Sequence, residues 1–287
     1  MRLAGAPISW GVCEVPGWGH QLSPGRVLGE MRELGLAATE FGPDGFLPDG
    51  GAARRRVLAE HGLAAVGGFV PLVLHDPRHD PAPAVRRALA MFAEAEATTL
   101  VLAAATGRDG YEARPELDDA GWAALLSNLD RVDALARDAG VTAALHPHVG
   151  TMVERPDEID RVLDGSGIGL CLDTGHVLVG GGDPAALARR ASGRIRHVHL
   201  KDVDAAAAKR VRAGEIGYRD AVAAGMYRPL GAGDAGIAEI VATLTAAGYR
   251  GWYVLEQDLV LDAEPPPGRG PVEQVRRSLD YLRGLAR

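Results

Sequence analysis

Residues 168–183 read IGLCLDTGHVLVGGGD. Ile168, Leu170 and Leu172 sit in a short run that is apolar throughout rather than alternating. A parallel strand buried on both faces requires that pattern. Asp173 and His176 follow at once, and then a run of glycines. Two readings are open. Asp173 caps the next helix and His176 lines its first turn, or both groups face a shared site that carries charge.

The rest of the chain repeats the unit. Short apolar runs at 3–9, 37–41, 63–70, 98–104, 141–146, 168–173, 195–202 and 251–257 alternate with longer amphipathic stretches. The stretch PGRVLGEMRELG has Ser23 as N-cap, Pro24 at the first helical position and a stop at Gly35. The segments PAVRRALAMFAEAEA and DDAGWAALLSNLDRVDALARDAG are Ala/Leu-rich with helical periodicity, as are four later ones. Eight strand–helix units predict an α/β fold, a (β/α)8 TIM barrel forming one domain over residues 1–287. A doubly wound open sheet is the alternative. Residues 203–233 read as an irregular insertion over the barrel mouth.

With 31 Lys+Arg against 38 Asp+Glu the net charge is −7, which argues against a general nucleic-acid partner. No secretory signal stands at the N-terminus, and no run of about 18 apolar residues predicts a membrane span. Cys13 and Cys171, the two cysteines, are far apart and fit a reducing compartment. The expectation is a cytoplasmic protein acting on a small molecule, with homo-oligomers common among such barrels.

In a barrel of this kind the C-terminal strand ends line the active-site mouth. Those ends are polar here: Glu40; His146 and His148; Asp173 and His176; His197, His199, Lys201 and Asp202; Glu256 and Asp258. Side chains alternate along a strand, so His197 and His199 share a face. His146, Asp173, His199 and Glu256 thus offer a mixed nitrogen and oxygen set from four neighbouring strands. Such a set suits one divalent metal ion, Mn2+ or Co2+ first, with Zn2+ or Mg2+ as alternatives. Two buried carboxylates without a cation would be costly.

On the substrate side, Trp10, Glu14 and Trp18 in the loop after the first strand are candidate walls of a sugar-sized pocket. Ordinary packing of the two tryptophans is the bland reading. His75, Arg108, Tyr227 and Arg228 are further candidates, as are Glu40 and Lys201. The segment GAGDAG at 231–236 matches a dinucleotide fingerprint, with Glu256 further on, but it follows a loop rather than a strand. Asp234 reads instead as the N-cap of the next helix.

The motifs CLDTGH, VHLKD, HPHVGT and YRPLGAGD…GYRGWYVLEQD resemble the sugar isomerase/epimerase superfamily built on the xylose-isomerase type of TIM barrel. PISWGVCEVPGWG and ATEFGPDGFLP, together with HPHVGT, resemble the narrower group of inosose dehydratases. The resemblance implies one divalent metal on strands five to eight, with Asp173, His199 and Glu256 at the usual Asp, His and Glu positions. The usual first ligand is a strand-five glutamate, and His146 stands there, with His148 or Glu154 as substitutes. His176 matches a substrate-contacting histidine, and Glu154 lies near a second substrate-side carboxylate.

The expected activity is metal-dependent dehydration of a cyclic polyhydroxy ketone, 2-keto-myo-inositol, through a metal-stabilised enediolate in inositol breakdown. The proton-transfer candidates are Glu40, Glu256, His148, His176 and Glu154, with a histidine as the acid. The nearest alternative is an isomerase or epimerase of free keto-sugars. An abasic-site nuclease and a non-enzymatic sugar-binding protein are more distant ones.

Overall fold

A computed structural model describes residues 1–108, 110–111 and 114–285. The strands are β1 (Arg2–Gly5), β2 (Ala38–Thr39), β3 (Ala64–Ala65), β4 (Gly67–Leu72), β5 (Thr99–Ala104), β6 (Thr142–Leu145), β7 (Gly169–Asp173), β8 (Ile195–Leu200), β9 (Asp202–Val203), β10 (Tyr227–Arg228) and β11 (Trp252–Leu255). Nine form one parallel sheet in the order β3-β2-β1-β11-β8-β7-β6-β5-β4. β3 and β4 are one strand interrupted at Val66. The Val66 N–H donates to Thr39 and its carbonyl accepts from Thr99, so this residue ties the two edges together. The result is the eight-stranded barrel that the alternation predicts, not an open sheet.

Helices cover the outside. Pro24–Glu33 begins as expected, with the Ser23 hydroxyl accepting from the Arg26 N–H and Gly35 in the left-handed region. The helix Gly51–Glu60 gave no clear sequence signal, because three consecutive arginines blur its apolar stripe. One large apolar core lies between strands and helices. Inside the barrel, Ala4, Ala38 and Val254 form one small cluster and Val101, Ala144 and Cys171 another. These small residues leave room above them for imidazole rings.

The segment after β8 is not irregular. It folds into helices Ala205–Arg212 and Tyr218–Ala223, and β10 returns antiparallel to β9. Asp234 does not cap the following helix either. That helix starts at Ile237 with Gly236 at its N-cap, and Asp234 accepts instead from the Ala205 N–H at 2.9 Å. Among the described residues, no helix is long and apolar enough to cross a membrane.

Candidate metal and substrate site

The site rests on a register detail. β7 and β8 pair with a shift between Leu170 and Cys171, so that Cys171 opposes His197 and Asp173 opposes His199. The extra residue on β8 is a bulge. Without it Asp173 would face Val198, and His197 and His199 would point away from Asp173. β11 continues the level, with Val254 beside His199 and the Glu256 N–H on the Leu200 carbonyl.

Asp173 fulfils both readings of the sequence at once. Its Oδ1 accepts from the His176 N–H at 2.8 Å, which caps the helix Thr174–Val179. Its Oδ2 faces His146 Nε2 at 3.1 Å, His199 Nδ1 at 3.5 Å and Lys201 Nζ at 3.5 Å. Gly175 is required here. A Cβ on it would stand 2.6 Å from Lys201 Cβ and 2.8 Å from the Tyr227 ring.

Lys201 is the hub. Its Nζ lies 2.8 Å from Asp258 Oδ1 and 3.0 Å from Glu256 Oε2, and it is hydrogen-bonded to His176 Nε2 at 3.0 Å. Burial works against a charged Lys201, but Asp173, Asp258 and Glu256 outweigh it and hold the ammonium well above its usual range. Burial raises the Glu256 carboxyl despite His199 and Lys201 beside it. Burial also opposes a charged Asp173, yet Lys201, with a hydrogen bond from His146, keeps it well below the usual carboxylate range.

The histidines differ. Burial pushes His148 down to about 4 and His146 down to about 3, and it holds His176 well below its ordinary value. His199 goes the other way: burial opposes its charge, but Cys171, Glu256 and Glu40 together raise it well above 6.5. The field that would protonate His199 is the field that a cation beside it would answer.

The donor set fits such a cation. Asp173, His199 and Glu256 offer one atom each, all within 4.8 Å of one another and all buried. His199 Nδ1 lies 3.3 Å from Glu256 Oε2, yet it makes no hydrogen bond although it is buried. Three buried carboxylates (Asp173, Glu256 and Asp258) share one ammonium, and a fourth, Glu40, stands on the other side of His199. Buried charge on that scale calls for a further positive partner.

Of the four ligands expected, the structure gathers these three. His146 stands beside them: its Nε2 faces Asp173 Oδ2 at 3.1 Å, and it groups with Cys171 and His199 and, separately, with Asp173 and His176.

A cavity of about 570 Å³ opens onto the cluster. Glu14, Trp18, Glu40, His148, Lys201 and Glu256 border it, as the sequence suggested, and Asp258, Phe69 and Tyr111 join them. Several candidates lie elsewhere. Trp10 is fully buried outside it, with its indole N–H on Glu30 Oε2 at 2.8 Å, because it packs in the layer between barrel and helices. Glu154 accepts from the Gly150 N–H and pairs with Arg114, so it braces a loop instead of facing the cluster. His75 and Arg108 lie on loops that do not border the cavity. Arg228 points outward to Asp204 at 3.2 Å. Tyr227 and His176 sit behind the wall: Tyr227 contacts the Tyr218 hydroxyl, and His176 stacks on His148 with ring centroids 3.7 Å apart.

Sequence reasoning noted Asp258 but gave it no role, although its spacing of two from Glu256 places both on one face. Tyr218 carried no signal. It reaches Asp258 Oδ2 at 2.9 Å from the start of the second helix after β9, Tyr218–Ala223.

The comparisons agree with this geometry. The model of the xylose isomerase-like TIM barrel family matches residues 28–285. The chain is 35% identical over 267 residues to the rhizopine catabolism protein MocC of Rhizobium meliloti, covering 90% of this chain and 82% of that protein. It is 32% identical over 294 residues to the inosose dehydratase of Geobacillus kaustophilus, covering 98% and 93%. A solved L-ribulose 3-epimerase superposes with a TM-score of 0.69 at 17% identity, over 99% of this chain and 94% of that one. By its barrel, its strand-end cluster and the extent of the family match, the chain belongs to the xylose isomerase-like TIM barrel family.

Proposed function

We propose that the protein is a metal-dependent dehydratase of a cyclic polyhydroxy ketone of the 2-keto-myo-inositol class. The observation that carries this reading is the buried cluster of Asp173, His199, Glu256 and Lys201, the last three of which line the cavity floor with Asp173 directly behind them. Similarity to inosose dehydratases over nearly the whole chain supports the reaction class. Asp173, His199 and Glu256 would hold the ion, with Mn2+ or Co2+ suited to the mixed donor set. When bound, the ion supplies a Lewis acid that polarises the ketone.

The protein's own groups divide the proton transfers. His148 Nδ1 faces the Val149 carbonyl at 2.7 Å and so carries the proton, which leaves Nε2 as a free base. A neutral imidazole is apt for taking the α-proton. The sequence suggested a histidine acid; the role goes to Lys201 in this reading, since burial disfavours the charged forms of His148 and His176. Lys201 Nζ holds a proton at the cavity floor and gives it to the departing β-hydroxyl. The C–H and C–O bonds break, a C=C bond forms and water leaves. Tyr111, Trp18 and Phe69 supply the apolar wall against which sugar C–H faces pack.

The second reading is a keto-sugar epimerase. It uses the same base and the same floor, but the proton returns to carbon. Incubating the protein with 2-keto-myo-inositol, with added Mn2+ or with a chelator, separates the two by product mass. A metal-dependent loss of one water supports the dehydratase, and an unchanged mass with a rearranged product selects the epimerase. No turnover of this ketone by metal-loaded protein sinks the proposed substrate class.

A further inference from the structure

Glu40 stands on the far side of the barrel from β8, at the end of β2, yet its Oε1 meets two β8 imidazoles. His197 Nε2 lies 2.7 Å away and His199 Nε2 3.0 Å away. All three side chains are buried. A carboxylate accepts, so both imidazoles must present Nε2–H to it. For a neutral His199 that choice leaves Nδ1 as a lone pair. Nδ1 is the atom that faces Asp173 Oδ2 and Glu256 Oε2 and has no hydrogen-bond partner.

An imidazole turned the other way would put an N–H between the two carboxylates and satisfy them without any ion. Glu40 thus selects which of two occupants the cluster takes. His197 shares the same oxygen, which holds Glu40 at a fixed height across the barrel axis. Its Nε2 is committed to Glu40, so it is not a ligand itself.

We propose that Glu40 is a positioning residue: through its shared hydrogen bond it sets the tautomer of His199 and so prepares Nδ1 to receive a divalent cation. This rests on the metal reading above. It differs from a substrate-contacting role for Glu40, and from a second metal site built by Glu40, His197 and His199, which also come together closely.

The test uses the full chain stripped of metal and titrated with Mn2+, with free ion followed by electron paramagnetic resonance. Wild type is expected to bind one ion. E40Q is expected to bind one ion about 10- to 100-fold more weakly, the usual effect of losing a carboxylate that orients a ligating histidine. Thermal unfolding of the metal-free E40Q protein guards against a mere folding defect. Nitrogen-15 shifts of wild type loaded with diamagnetic Zn2+ give an independent readout, in which His199 and His197 should both carry their proton on Nε2 alone.

Equal Mn2+ affinity in E40Q overturns the inference, as does a proton on Nδ1 of His199 in the Zn2+-loaded wild type. Two ions per wild-type chain, falling to one in E40Q, would make Glu40 a ligand and also overturn it. Wild type that binds no ion removes the metal reading itself and this inference with it, and that result is distinct because it precedes any substitution.

Discussion

Lys201→Met keeps most of the side-chain volume and deletes the ammonium at the centre of the site. Asp258 and Glu256 lose an ion pair at 2.8 and 3.0 Å, and Asp173 loses one at 3.5 Å. Removing one partner of a buried pair costs about 3–5 kcal/mol, because the other charges stay buried. At roughly 2 °C per kcal/mol for a chain of this size, the metal-free variant should melt about 6–10 °C below wild type. The same deletion deepens the demand for a cation, so Mn2+ at about a hundredfold over its Kd should return about 2.7 kcal/mol, or about 5 °C. Loss of the acid should lower kcat by about 10²- to 10⁴-fold, even with metal bound. The assays are thermal denaturation with and without Mn2+, and turnover of the ketone. A metal-free variant that melts within about 2 °C of wild type would refute the ion-pair hub. Unchanged kcat would refute Lys201 as the acid.

Three further outcomes follow from named contacts. Metal-free protein should lose stability as the pH falls from 6.5 towards 4, because the unfolded chain takes up protons that His148, lowered to about 4, refuses in the fold. At about 1.4 kcal/mol per pKa unit, this one residue contributes about 3 kcal/mol, with His146 adding in the same direction, and urea titrations across that range measure it. A flat profile between pH 4 and 6.5 would contradict it. Trp10→Phe leaves buried Glu30 without its indole partner and should cost about 1–3 kcal/mol in urea denaturation while KM stays unchanged, whereas a raised KM would return Trp10 to the cavity. Arg228→Ala and His75→Ala should leave both kcat and KM within twofold of wild type in steady-state assays, roughly the scatter expected of surface changes, since neither side chain borders the cavity; a larger loss in either would place it at the substrate.

The strands were legible because two-sided burial forces parallel strands to be apolar along their whole length, as in IGLCLD and VTAALH, and the count of eight units favoured a barrel over an open sheet. The strand-end groups were legible for the related reason that period two assigns them to a face: His197 with His199, Glu256 with Asp258. The helix Gly51–Glu60 and the helical nature of residues 205–223 were hidden, since short Ala- and Arg-rich stretches carry little periodic contrast. Trp10 and Glu154 look like site residues by position in sequence. Only packing shows one facing the helix layer and the other facing Arg114.

The sequence alone thus determined the eight strand–helix units and the strand ends that carry polar groups, Asp173, His199 and Glu256 among them. These follow from local periodicity and composition, which any stretch of chain displays by itself. The tertiary structure decided the rest: the β7–β8 bulge that turns His199 towards Asp173, the reach of Glu40 across the barrel to two histidines, and the placing of Lys201 among three carboxylates. Each joins residues from separate strands, and Glu40 lies 159 positions from His199. Such pairings depend on barrel closure and on a one-residue shift of register, and no local pattern encodes either one.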